Sequence, residues 1–168
     1  MNAVGGLAVP FSKSEITVIP RNNIVIDKAE ISQFFSKLPK KIRYSIVKAH
    51  ELSHLINLKD KKMEGNTRYA EAASDLTALM FVIKDQKLTL GESNKTINTL
   101  IDIRKDGDFN HDSRQWLSSF QEYLNHNGFK EINSINTSDM ANIGIDLVVF
   151  QNTFDAKELK ESKDFEKK

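Results

Sequence analysis

The spacing of apolar residues changes once along the chain, near residue 28. Before it, apolar residues fall in short clusters, "GLAVPF" at 6–11, "EITVIP" at 15–20 and "NIVID" at 23–27, rich in Val and Ile and separated by Pro10, Pro20 and "RNN". Clusters of this kind, bounded by turn residues, read as strands. Three in a row predict a small sheet, part of it hairpin-linked.

After residue 28 the apolar spacing becomes helical. Residues 28–38 predict a short helix ended by Pro39, which also suits the first turn of the next helix. That helix is predicted over 40–58, with Ile42, Ile46, Ala49, Leu52 and Ile56 on one face. A polar loop, "KDKKMEGN", follows. Asn66 or Thr67 can then cap a third helix, "RYAEAASDLTALMFVIK", whose inward side is Ala72, Leu76, Leu79, Met80 and Ile83.

Beyond a loop around Gly91, Ser93 can cap a helix carrying Ile97, Leu100 and Ile101. "RKDGDFNHD" reads as another loop. Residues 113–126 form an amphipathic pattern with Trp116, Leu117, Phe120 and Leu124, stopped by Gly128. Residues 139–150 predict a last helix, although "IGIDLVVF" within them also fits a strand. The expectation is one α+β domain over 1–154, mostly helical, with a small N-terminal β-sheet packed on the helix at 40–58, and a mixed-charge tail at 155–168.

The chain's 168 residues suffice for one core without a covalent staple. A net charge of +1 gives no field that would recruit nucleic acid or an anionic membrane. With no cysteine, thiol catalysis, disulfides and cysteine-ligated zinc are all excluded. The N-terminal stretch lacks the basic and apolar regions of a signal peptide. No apolar run reaches the roughly 18 residues needed to span a bilayer. The expected location is the cytoplasm.

Against this plain background "HELSH" stands out, because it uses two of the chain's four histidines. Positions four apart share a helix face, so His50 and His54 can both present ring nitrogens to one metal ion. Glu51, beside the first histidine, can reach a water held on that ion without ligating it. This is the arrangement of a zinc hydrolase in which two histidines hold the ion and the glutamate takes a proton from water. A helix carrying two solvated histidines is the plain alternative.

A catalytic zinc takes a third protein ligand and keeps an open position. Asp60, Glu64, Glu71, Asp75 and His111 are the downstream candidates. Glu71 is favoured, since it lies early on the third helix with small residues Ala72, Ala73 and Ser74 after it, which allow two helices to approach closely. Asp75 shares its face and can accept the second ring N–H of a ligand histidine.

"HELSH" followed by "EAASD" resembles the gluzincin branch of the zincin metallopeptidases, over roughly residues 24–83, and more loosely the small single-domain ImmA/IrrE type. The resemblance implies a zincin-like fold with one Zn2+ per chain on His50, His54 and Glu71, Glu51 as general base and Asp75 as the orienting residue. It implies a strand, "NIVID" or "EITVIP", bordering the cleft and pairing with an extended peptide or protein substrate. Several gluzincins place a histidine on the oxyanion, and His111 is the candidate here, followed by Asp112 and Arg114 with no proline between.

The function expected is hydrolysis of peptide bonds over a narrow range of protein substrates, with neither nucleic acid nor membrane as a partner. Two alternatives stand beside it. A zinc-holding fold of this kind can serve as a protein-interaction module with weak turnover. The pair His111-Asp112 can also be read as part of an HD-type phosphohydrolase, but it falls in a loop and leaves Glu51 without a role.

Overall fold

The structure, a computed structural model, describes residues 7–8, 24–25, 35–57, 59–63 and 65–154. Its main elements are β1 (Leu7–Ala8), β2 (Ile24–Val25), α1 (Lys40–Asn57), α2 (Thr67–Gln86), α3 (Leu90–Lys105), α4 (Arg114–Asn127), α5 (Lys130–Ser134) and α6 (Met140–Phe154). Short 3-10 turns lie at Lys61–Met63, Phe109–His111 and Thr137–Asp139.

The α+β expectation is corrected. The described residues are mostly helical, at 81%. Their β-structure amounts to one antiparallel pair of two-residue strands, with Leu7 opposite Val25 and Ala8 opposite Ile24. Among the described residues this minimal pair, with β1 lying against α1, is all there is of the expected N-terminal sheet. The physical reason is that strand propensity reports fit to a half-buried pleated surface rather than a backbone preference of its own. The large apolar surface in this domain is helical and is covered by other helices. The segment at 15–20 lies outside the described residues, as does 28–34 of the expected first helix. Residues 35–37 form a turn, closed by the Leu38 amide donating to the Phe35 carbonyl at 2.9 Å.

α1 begins directly after Pro39, whose carbonyl accepts from the Arg43 amide at 3.1 Å. Its buried face is rotated from the one expected. Ile42 and Ile46 are inside together with Val47 and Leu55, while Ile56 is 43% exposed. A stripe counted on apolar residues alone missed that Glu51, Ser53 and Asn57 are also inside.

α2 is the spine of the domain. The Asn66 side chain caps it by accepting from the Tyr69 amide at 3.1 Å. Every residue from Glu71 to Met80 is buried. α1 and α6 pack along its length, with α4, α5 and the turn Phe109–His111 against its remaining sides. The core predicted for it, Ala72, Leu76, Leu79, Met80 and Ile83, is fully inside, as are Trp116, Leu117, Phe120 and Leu124 of α4.

α3 starts earlier than expected. Thr89 caps it in a reciprocal box with Glu92, the Thr89 hydroxyl accepting from the Glu92 amide and the Glu92 carboxylate accepting from the Thr89 amide. The Thr-x-x-Glu signal lay in the sequence. Ser93, expected as the cap, is buried and donates to the Thr89 carbonyl at 2.8 Å.

Residues 143–150 belong to α6, which settles the helix-or-strand ambiguity. Gly144 decides how closely α6 approaches α2. A Cβ at that position would stand 2.4 Å from Thr77 Oγ1 and 2.7 Å from the Ala73 carbonyl oxygen. Gly144→Ala is therefore expected to push the helices apart, at about 1–3 kcal/mol. That loss corresponds to about 2–4 °C of Tm for each kcal/mol in a chain of this size. Thermal melting would show it. Adding Thr77→Ala should return only part of the loss, because the carbonyl remains.

Candidate metal centre

α1 and α2 meet where their small and polar residues face each other. Asn57 in the last turn of α1 donates through Nδ2 to the Ala70 carbonyl at 3.2 Å and to Ser74 Oγ at 2.8 Å, fixing one helix against the other. The fixed register brings His50 and His54 of α1 opposite Glu71 of α2. His50 Nε2 lies 3.2 Å from one Glu71 oxygen, His54 Nε2 lies 3.2 Å from the other, and the two Nε2 atoms are 3.0 Å apart.

These three side chains form a group that can hold a metal ion, with ligand atoms all within 4.8 Å of one another. A tetrahedral shell with ligands about 2.0–2.1 Å from the ion has its ligand atoms about 3.3 Å apart. The separations here already approach that spacing. Two imidazoles and a carboxylate suit a borderline divalent transition-metal ion. The group is sheltered yet reachable, the side chains being 12%, 16% and 11% exposed for His50, His54 and Glu71.

Each histidine is held from behind through Nδ1. His50 Nδ1 is 2.8 Å from Asp75 Oδ1, and His54 Nδ1 is 3.2 Å from Ser74 Oγ. An ionised carboxylate only accepts, so Nδ1 of His50 carries the proton and Nε2 is left toward the centre. Asp75 is itself gripped. Arg104 of α3 donates through Nε to Oδ2 at 2.8 Å and through Nη2 to Oδ1 at 2.7 Å, and the Ser113 hydroxyl donates to Oδ2 as well.

The charges support one another. Burial works against ionised Asp75 and Glu71, yet both carboxyls are held far below the usual range, Asp75 by Arg104 and His50, Glu71 by the two histidines. Burial also opposes a charged His50, but hydrogen bonds to Asp75 and Glu71 outweigh it and push the ring up to about 10. In the absence of an ion, then, a proton on His50 supplies positive charge to the centre.

Glu51 is 4% exposed, and its charge helps hold the Arg104 guanidinium ionised against burial, after the stronger effects of Asp75 and Glu71. It therefore belongs electrostatically to the same cluster. His111, at the end of the turn Phe109–His111, lies near the centre, with Nε2 3.8 Å from a Glu71 oxygen and Nδ1 2.7 Å from Asp108. Its turn is clamped by Arg68, which lies over the rings of Phe109 at 4.7 Å and Trp116 at 4.9 Å and donates to the Asp112 carbonyl at 2.8 Å. Beside His54 and Glu71 opens a cavity of about 460 Å³, walled by Asn57, Lys59, Lys61, Met63 and Asn66 among others.

Of the candidates for a third ligand, Glu71 joins the histidines and Asp75 stands behind His50. Asp60 sits on the cavity wall, and Glu64 lies outside the described residues. Sequence reasoning missed Arg104, Ser113, Ser74 and Asn57. Arg104 left a trace, as a charge four residues after Leu100 and seven after Ile97 on the inward stripe of α3. The other three are small polar residues with no spacing signal. Among the described residues no helix is long and apolar enough to cross a membrane. Comparison with protein-family models, with curated protein sequences and with solved structures gives no match.

Proposed function

We propose that the chain is a zinc-dependent hydrolase of peptide bonds with a narrow range of protein substrates. One observation supports this above the rest. Two imidazole Nε2 atoms and a carboxylate converge within 3.2 Å of one another while Asp75 and Ser74 occupy both Nδ1 atoms. Three electron-pair donors aimed at one point call for a shared cation.

A divalent ion bound there would act as a Lewis acid toward the scissile carbonyl and toward water. Glu51 takes the proton from the attacking water and passes it to the leaving amine. His111, held through Nδ1 by Asp108, is placed to donate from Nε2 to the oxyanion. The cavity beside His54 and Glu71 receives a side chain flanking the scissile bond, and the peptide lies extended across it. Cytoplasmic residence belongs to the same proposal.

A second reading rests on His111. A third imidazole so near Glu71, as a fourth ligand, can close the site into a non-catalytic one, giving a zinc-holding interaction module. Two measurements separate the readings. Metal content by mass spectrometry should give about one zinc per wild-type chain, and Glu71→Ala should lose it. The zinc-loaded protein, incubated with peptides from a digested proteome, should generate new termini that a chelator abolishes. Zinc without cleavage would favour the module. No zinc after reconstitution would overturn both.

A further inference from the structure

We infer that Arg104 is a positioning residue of the metal centre, acting through Asp75 to set how tightly His50 binds the ion. This deepens the proposed metal site and rests on it. Arg104 comes from α3, a helix that contributes no ligand, and its side chain is 10% exposed. Its guanidinium engages both Asp75 oxygens, at 2.8 and 2.7 Å, in the fork geometry that only arginine offers. Asp75 Oδ1 is shared between Arg104 and His50 Nδ1. The orientation of the carboxylate, and with it that of the imidazole, is thereby fixed from α3, an element that the ligands themselves do not occupy.

Charge gives a second reason. Glu51, Glu71 and Asp75 place three carboxylates in one buried cluster, with Arg104 as its permanent cation. With both histidines neutral, one guanidinium and one divalent ion bring the cluster to neutrality. Without Arg104, Asp75 would be a buried, uncompensated anion one bond from a ligand. The two ligand histidines are thus unequally supported. His54 leans on a neutral hydroxyl, Ser74, itself tied to Asn57, while His50 leans on a carboxylate whose charge Arg104 balances.

The test compares zinc affinity, by competition with a chromophoric chelator, in wild type, Arg104→Lys, Arg104→Met, Asp75→Asn and the Arg104→Met/Asp75→Asn pair. Cobalt-substituted spectra and metal-free melting accompany it. Loss of an outer-shell partner costs about 10–100-fold in metal affinity. Arg104→Met and Asp75→Asn should each fall in that range, and the pair should fall no further than either alone. Arg104→Lys should recover part of the affinity, and the cobalt spectrum should shift in each variant.

If Arg104→Met proves unfolded, Arg104→Lys and the charge-neutral pair carry the test. Unchanged zinc affinity and cobalt spectrum with lowered melting would reduce Arg104 to a structural role and overturn the inference, leaving the metal site standing. Multiplying losses in the pair would overturn the route through Asp75. Failure of wild type to bind zinc would overturn the metal site itself, and the inference with it.

Discussion

Glu51→Gln is expected to keep the metal and to lower peptide hydrolysis by about 10²–10⁴-fold, the range in which a positioned acid–base group contributes. Glutamine matches glutamate in size, so a buried position with 4% exposure tolerates it. It cannot accept a proton from water at neutral pH. The proposed ligand set of His50, His54 and Glu71 is untouched, so metal content should stay at the wild-type level. The measurement is kcat/KM on a peptide cleaved by the wild-type protein, together with zinc content of the same preparation. Activity within a few fold of wild type would remove Glu51 as the base. Lost zinc would mean that Glu51 helps to hold the ion or its cradle.

Asp75→Ala is expected to have the largest effect on stability. It removes the acceptor for two Arg104 bonds, for the Ser113 hydroxyl and for His50 Nδ1 in one step. The guanidinium then remains buried with no carboxylate nearer than the Glu71 oxygen, 3.8 Å from Nη2. Breaking a buried pair in this way costs about 3–5 kcal/mol. For a chain of this size that corresponds to a Tm lower by roughly 6–20 °C. Replacing Arg104 by Met in the same chain should recover part of the loss, since it removes the stranded charge.

The effect should depend on pH. The Asp75 carboxyl is held below its ordinary value in the fold, so its contribution is present above the unfolded value of about 4 and fades as pH falls through and beyond it. The gap between wild type and variant should therefore narrow in acid. A loss under about 1 kcal/mol at neutral pH, the value of an exposed pair, would mean that water reaches the cluster.

The order of the principal helices follows from the sequence, because a 3.6-residue apolar period, a preceding proline and a following glycine are local signals. α4, with Trp116, Leu117, Phe120 and Leu124 inside and Gly128 after it, is the clearest case. The cluster of His50, His54 and Glu71 was legible for the same reason. Two histidines four apart share a face of any helix, and small residues after Glu71 mark a close helix approach.

Among the described residues the expected N-terminal sheet is no more than the pair of two-residue strands β1 and β2, since such segments extend into a sheet only where a pleated surface is there to receive them. The face of α1 could not be read by counting apolar residues. Glu51, Ser53 and Asn57 are inside because partners on other elements take up their polarity, and those partners are distant in sequence. Arg104 and Ser113 lie 29 and 38 residues from Asp75, and nothing local ties them together. Helical period and ligand spacing are properties of neighbouring residues and were written in the chain. The grip on Asp75, the tautomer it imposes on His50 and the seat of α6 at Gly144 required helices to meet, and only the tertiary structure decided them.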